Sequence, residues 1–266
     1  MQFTDAQIGA WIGAFMWPLL RVSGMVMTMP VFTARGMPMQ LRLIFAVVLT
    51  LLLAPIIDTI PHIDPLSAEG MFTAIQQLVI GAAMGFALRL AFAALIGAGH
   101  LIALGMGLGF ASMVDPTNGV QVPVVSMFYS IMGTLLFLTL DGHIVAIEVL
   151  AESFRTLPIG TQGISMDGVW SLILWGSWIF AGAVLISLPA ITAILAINIA
   201  FGVMTRAAPQ LNIFAVGFPI IMMVGFVMML LMLPNLLPRF SELTLDALEL
   251  MRQLVTPVLP IIPPGP

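Results

Sequence analysis

The side chains able to do chemistry are few. His62, His100 and His143 stand far apart, and none has the HExxH spacing that sets two imidazoles on one helix face to hold zinc. Lysine is absent, which excludes a Walker A phosphate loop and a Schiff-base residue. No GxSxG nucleophile elbow occurs, and no Ser or Asp lies in a recognisable intramembrane protease motif. These residues point away from catalysis, from metals and from cofactors. Asp141, Glu148 and Glu152 follow a spacing of seven and four, which puts them on one helix face. Such a stripe suits a proton relay, or a helix that emerges into water or meets a partner's basic residues. Arg21 and Arg89 lie inside apolar runs, where an unpaired charge costs about 2.5–3.5 kcal/mol. Each is expected to face a protein interior and to pair with a carboxylate or with carbonyls. Together the five make a set of expected buried charges.

The elements that must position them are greasy. Hydrophobic residues make up 61% of the chain and charged residues 8%, against about 25% charged in soluble domains. That composition describes a polytopic membrane or membrane-complex protein. Apolar runs cover residues 6–29, 41–57, 71–110, 123–140, 169–204 and 211–237. All are expected to be helical, because a backbone in hydrocarbon must satisfy its own hydrogen bonds. The run 71–110 would extend about 60 Å as one helix, twice a bilayer core. The run 169–204 is nearly as long and holds Pro189, which should kink it. Helical hairpins packed against protein are expected for both. Gly9/Gly13, Gly81/Gly85 and Gly105/Gly109 have the spacing of close helix crossings.

The eight positive charges are all arginine, with no basic patch suited to nucleic acid. Arg35 and Arg42 flank the first break, whereas Asp58, His62, Asp64 and Glu69 lie in or beside the second. By the positive-inside rule the first faces the cytoplasm and the second faces away. The amino terminus lacks a positive region before its apolar run and reads as a retained helix. Twenty-one methionines include clusters at Met25/Met27/Met29, Met37/Met39, Met222/Met223 and Met228/Met229/Met232. They read as soft filler of irregular helix packing, or as a deformable apolar seal. One helical domain is expected over 1–240. An amphipathic surface or partner-binding helix, N-capped by Ser241, and a Pro-rich tail follow over 241–266.

Residues 105–129, GMGLGFASMVDPTNGVQVPVVSMFY, place turn chemistry between two apolar flanks. By itself this could be a short solvent-facing hairpin turn. With MPVFTARGMPMQLRLIFAVVLTLLLAP (29–55), GLGFASMVDPTNGVQVPVVSMFYSIMGTLLFL (107–138) and TRAAPQLNIFAVGFPI (205–220) in order, however, the whole chain resembles the FliR/SctT family of type III export-gate proteins.

The resemblance implies an all-α, non-enzymatic subunit of the flagellar basal body in the bacterial inner membrane. It implies a FliP-like part followed by a FliQ-like hairpin, assembled with FliP and FliQ into a channel for unfolded export substrates. FlhA and FlhB are further implied partners, beside membrane lipid, with the driving energy supplied elsewhere. It also implies a channel plug at residues 106–122. There Gly107, Gly109, Phe110, Met113, Val114, Asp115, Pro116, Asn118 and Gly119 would form and turn the stopper. A second turn, Arg206, Pro209, Gln210 and Asn212, is expected to contact neighbouring subunits. The chain departs from the family where Ile220 and Ile221 follow Gly217-Phe218-Pro219 in place of a basic residue, and where Met113 replaces an aromatic. A virulence-type secretion subunit, a secondary transporter with broken helices and a purely structural assembly nucleus are the competing readings.

Overall fold

The computed structural model describes residues 5–33, 37–57, 61, 63–65, 67–108, 124–160, 162–207 and 213–256, with side chains from residue 13 onward and, after residue 212, from residue 216. Among the described residues all regular structure is helical: α1 (Asp5–Thr28), α2 (Met39–Leu53) with a 3-10 turn (Ala54–Ile56), α3 (Ala68–Gly105), α4 (Val124–Thr139), α5 (Gly142–Thr156), α6 (Met166–Trp175), α7 (Trp178–Ala207) and α8 (Ile213–Val255). Among the described residues four stretches are long and apolar enough to cross a membrane, Met39–Ile56, Ala68–Gly105, Met166–Ala207 and Val216–Val255, and Val124–Thr139 with Gly142–Thr156, bent by 66°, would make a fifth if taken as one span.

The chain divides into two interleaved compact units. Met1–Leu90, Asp141–Gly176 and Thr244–Pro266 make the first, and Ala91–Leu140 with Ser177–Leu243 the second. In the first unit α1 and α3 run parallel in very close contact. A Cβ added at Gly81 would collide with the Arg21 carbonyl oxygen and lie 2.8 Å from its carbon; one at Gly24 would meet Leu78 O and come 2.9 Å from Ala82 N. One turn further, Gly85 faces Met29 N at 3.0 Å. Glycine at all three positions lets the two backbones touch. Helix α2 turns back along α1: the Phe32 and Phe45 rings sit 4.6 Å apart at its start, and the 3-10 turn at its end still touches α1. The second unit has an aromatic centre in which Phe92 lies edge-on to Phe137 and Phe240, at 5.6 and 5.3 Å. Beside it Gly133 leaves room for Leu95 and Phe240.

Three expectations change. Residues 68–105 are one uninterrupted helix rather than a hairpin, since no turn-forming pair interrupts them. The region 169–204 does break, but at Gly176–Ser177, while Pro189 is accommodated inside α7. Ser241 is not an N-cap, because α8 continues through Pro234 and Pro238 to Val255. Its apolar stripe, Leu243, Ala247, Leu250, Met251 and Leu254, is buried within the chain, with Glu242, Asp246 and Glu249 exposed opposite.

Candidate functional site

Two places carry the polar and conformational peculiarities of the chain. The first is Arg21, which is fully buried. Its neighbours Trp17 and Met25, one turn away on the same face of α1, are buried with it. Packed so close to Gly81, α1 aims the guanidinium past α3 at the carboxyl end of α5. Arg21 Nε donates to Gln77 Oε1 at 2.8 Å. One terminal nitrogen donates to Ser153 O (2.8 Å) and Ser153 Oγ (3.1 Å), and the other to Leu157 O at 2.9 Å. The Phe154 ring lies 4.5 Å from the guanidinium carbon. A helix carboxyl terminus carries unsatisfied carbonyls and about half a negative charge, so it can hold a cation without a carboxylate. The π face of Phe154 adds to that attraction. Arg21 thus ties α1, α3 and α5 together and caps α5.

The other expected buried charges lie differently. Within this chain Arg89, Asp141, Glu148 and Glu152 are exposed, and of the five only Arg21 is buried. On α3 the inner positions go to Leu88 and Leu90, so Arg89 is turned outward. On α5 Ala146, Val149, Leu150 and Ser153 take the inner face and leave Glu148 and Glu152 on the outer one. Asp141 precedes α5 in the left-handed conformation, φ 54°. The five charges do not converge on one site.

The second place is the end of α3, where the expected plug begins. Leu108 N–H bonds Ala103 O and Gly107 N–H bonds Leu104 O, both at 3.0 Å, while Gly107 adopts φ 78°. This is a Schellman terminator, which favours glycine at the left-handed position. Just before it, Met106 is fully buried and fills a notch left by Gly225 of α8; a Cβ there would come 2.7 Å from the thioether sulfur. Gly105 lies over Ile194 of α7, with 3.5 Å from its would-be Cβ to Cδ1. The root of the loop is therefore seated on two helices of the second unit. Gly109, Phe110, Met113, Val114, Asp115, Pro116, Asn118 and Gly119 lie outside the described residues, as do Pro209, Gln210 and Asn212; Arg206 is exposed in the last turn of α7.

Sequence reasoning missed Gln77, Ser153, Phe154 and Leu157 as the cradle of Arg21, and the Met106–Gly225 seat. Gln77, a polar residue within an apolar run, was the one available signal.

Comparison with known proteins fits this helical, membrane-length architecture. A model of the bacterial export proteins, family 1, matches residues 12–247. The flagellar biosynthetic protein FliR of Pectobacterium carotovorum is 42% identical over 259 residues, covering 96% of this chain and 98% of its own. The FliR of Escherichia coli is 36% identical, with 98% and 100% covered. That of Aquifex aeolicus is 35% identical, with 80% and 83% covered. With the match spanning both units and every helix but the ends of the first and last, the chain belongs to the bacterial export proteins, family 1, alongside the FliR proteins.

Proposed function

We propose that this flagellar export-gate subunit is a non-enzymatic part of the channel wall, assembled with FliP and FliQ in the bacterial inner membrane. The observation that carries this reading is a mismatch of lengths. Helix α8 has 43 residues and extends about 64 Å, twice the hydrocarbon core of about 30 Å. Large apolar side chains stay exposed along it from Val216 to Leu245, and only 17% of its most apolar stretch is buried. The same holds from Met166 to Met204 on α6 and α7. Lipid can cover only about half of such a surface, and water would not tolerate the rest. Sibling helices are the covering that fits.

In this reading the loop 106–122, rooted at Met106 and Gly107, projects into the channel and helps to obstruct it until a substrate is threaded. The turn after Arg206 meets a neighbouring subunit. FlhA and FlhB would act at the same gate. The transporter alternative requires Arg21, Arg89 and the α5 carboxylates to share a cavity, and their placement gives it no support.

The test is reconstitution. Co-expressed with FliP and FliQ, the chain should purify in one particle of fixed mass containing all three. Recovery of this chain alone as a stable, soluble monomer would overturn the reading.

A further inference from the structure

Helices α3 and α4 lead into and out of the loop 106–122, and the second unit grips its two ends unequally. At the base the two helices are in backbone contact. A Cβ added at Gly99 would lie 2.8 Å from Ser126 Cα and 3.1 Å from its nitrogen, and one at Gly133 would lie 2.6 Å from the Leu95 side chain. Val125 and Ser126 are buried, whereas Val124, where α4 begins, is 80% exposed. The return end is therefore held by main chain, at Ser126.

The outgoing end is held by a side chain. From Gly99 to Met106 the chain advances about 10 Å beyond that contact. Its inner stripe is Leu95, Ala98, Ile102 and Met106, all fully buried, and Met106 is the outermost. A Cβ on Gly225 of α8 would come 2.5 Å from Met106 Cγ, 2.7 Å from Sδ and 2.9 Å from Cε, so the thioether lies along bare α8 backbone. The α7 contact nearby is looser, because a Cβ on Gly105 would reach the Ile194 methyls at 3.5 and 3.7 Å.

Such a grip can be undone. Shape and dispersion hold the thioether, with no hydrogen bond to break, and an unbranched side chain with three rotatable bonds can slide from a notch. The next residue is Gly107, at φ 78°, steadied by the bonds from Gly107 N–H to Leu104 O and from Leu108 N–H to Ala103 O. Lacking a Cβ, it can take up other dihedrals once those bonds are released. A soft contact thus stands immediately before a swivel.

We infer that Met106 in the Gly225 notch is the catch that holds the loop 106–122 closed. Seated, it fixes the direction in which the chain leaves α3. Withdrawn, it lets the loop swing aside at Gly107, while the base stays shut at Gly99 and Ser126. Met106 is a positioning residue, acting through the loop rather than on the substrate. The inference rests on the gate reading above and assigns the contact that sets whether the loop is closed.

The tests use the gate assembled with FliP and FliQ in the inner membrane. The chain has no cysteine, so M106C/G225C introduces its only thiols, on the two sides of this contact. Oxidation should join them and abolish export until a reductant restores it. A joined pair that exports at the wild-type rate, or a pair that does not join in the closed gate, would overturn the inference. M106A removes the catch without a clash and should raise the open population, and the leak of small solutes with it, roughly 30-fold, the ratio expected for truncating a buried methionine. G225A drives the thioether out and should leak as well, whereas G202A, with nothing within 4 Å, should stay tight. Tight M106A and G225A gates, beside a leaky deletion of residues 110–114, would refute the catch and leave the plug standing. Tight gates in all three would refute both.

Discussion

Arg21 is a cation held by carbonyls, an amide and a ring, and its geometry uses the fork of a guanidinium. Lysine has one nitrogen and cannot reach Gln77, Ser153 and Leu157 together. Replacing Arg21 by Met would leave Leu157 O and Gln77 Oε1 without a donor, at about 1–3 kcal/mol for each bare acceptor. Thermal unfolding in detergent should therefore rank the wild type above R21K and R21K above R21M. Equal stability of the three would show that the cradle contributes nothing. Gly107 gives a second prediction at this scale. With φ at 78°, G107A should cost about 1–2 kcal/mol, and G107N less, since Asn tolerates the left-handed region better. Little of the cradle was legible in the sequence beyond the oddity of Arg21 and of Gln77 within an apolar run. Its partners lie 56 to 136 residues away, and local periodicity does not encode such distances.

Elements were more legible than their lengths. The apolar runs at 6–29, 41–57 and 123–140 correspond closely to α1, to α2 with its 3-10 turn, and to α4. The expected hairpin at 71–110 failed because apolar length alone cannot distinguish a fold-back from a straight rod, and residues 68–105 contain no turn signal. The glycine spacing at Gly81 and Gly85 marked a real crossing, but its third member, Gly24, has no partner at that spacing and went unread. A contrast follows for glycines in helices. G81A puts a methyl group against the Arg21 carbonyl and should destabilise the chain by about 1–3 kcal/mol through forced separation of α1 and α3. At Gly202 nothing lies within 4 Å, so G202A should gain up to about 1 kcal/mol from helix propensity. Melting temperatures that move in the same direction for both variants would contradict the crossing.

At the scale of the whole molecule, the chain is a set of helices with more apolar surface than it can bury. Composition announced that surplus without saying what covers it. Helix length shows how large the surplus is, since α8 alone extends about 64 Å, twice a hydrocarbon core. Deleting residues 110–114 from the assembled gate should make the inner membrane permeable to small solutes, and unchanged permeability would favour a purely structural role for the loop. Under the gate reading, neutralising Glu148 and Glu152 together should impair assembly, because both are exposed and so available to a partner. Abolished transport through a normally assembled particle would restore the transporter alternative.

The most direct measurement is the mass and composition of the particle purified after co-expression with FliP and FliQ. The account predicts a single hetero-oligomer from which this chain cannot be separated without losing solubility. A stable, monodisperse monomer of this chain, with its long apolar faces open to solvent, would contradict it.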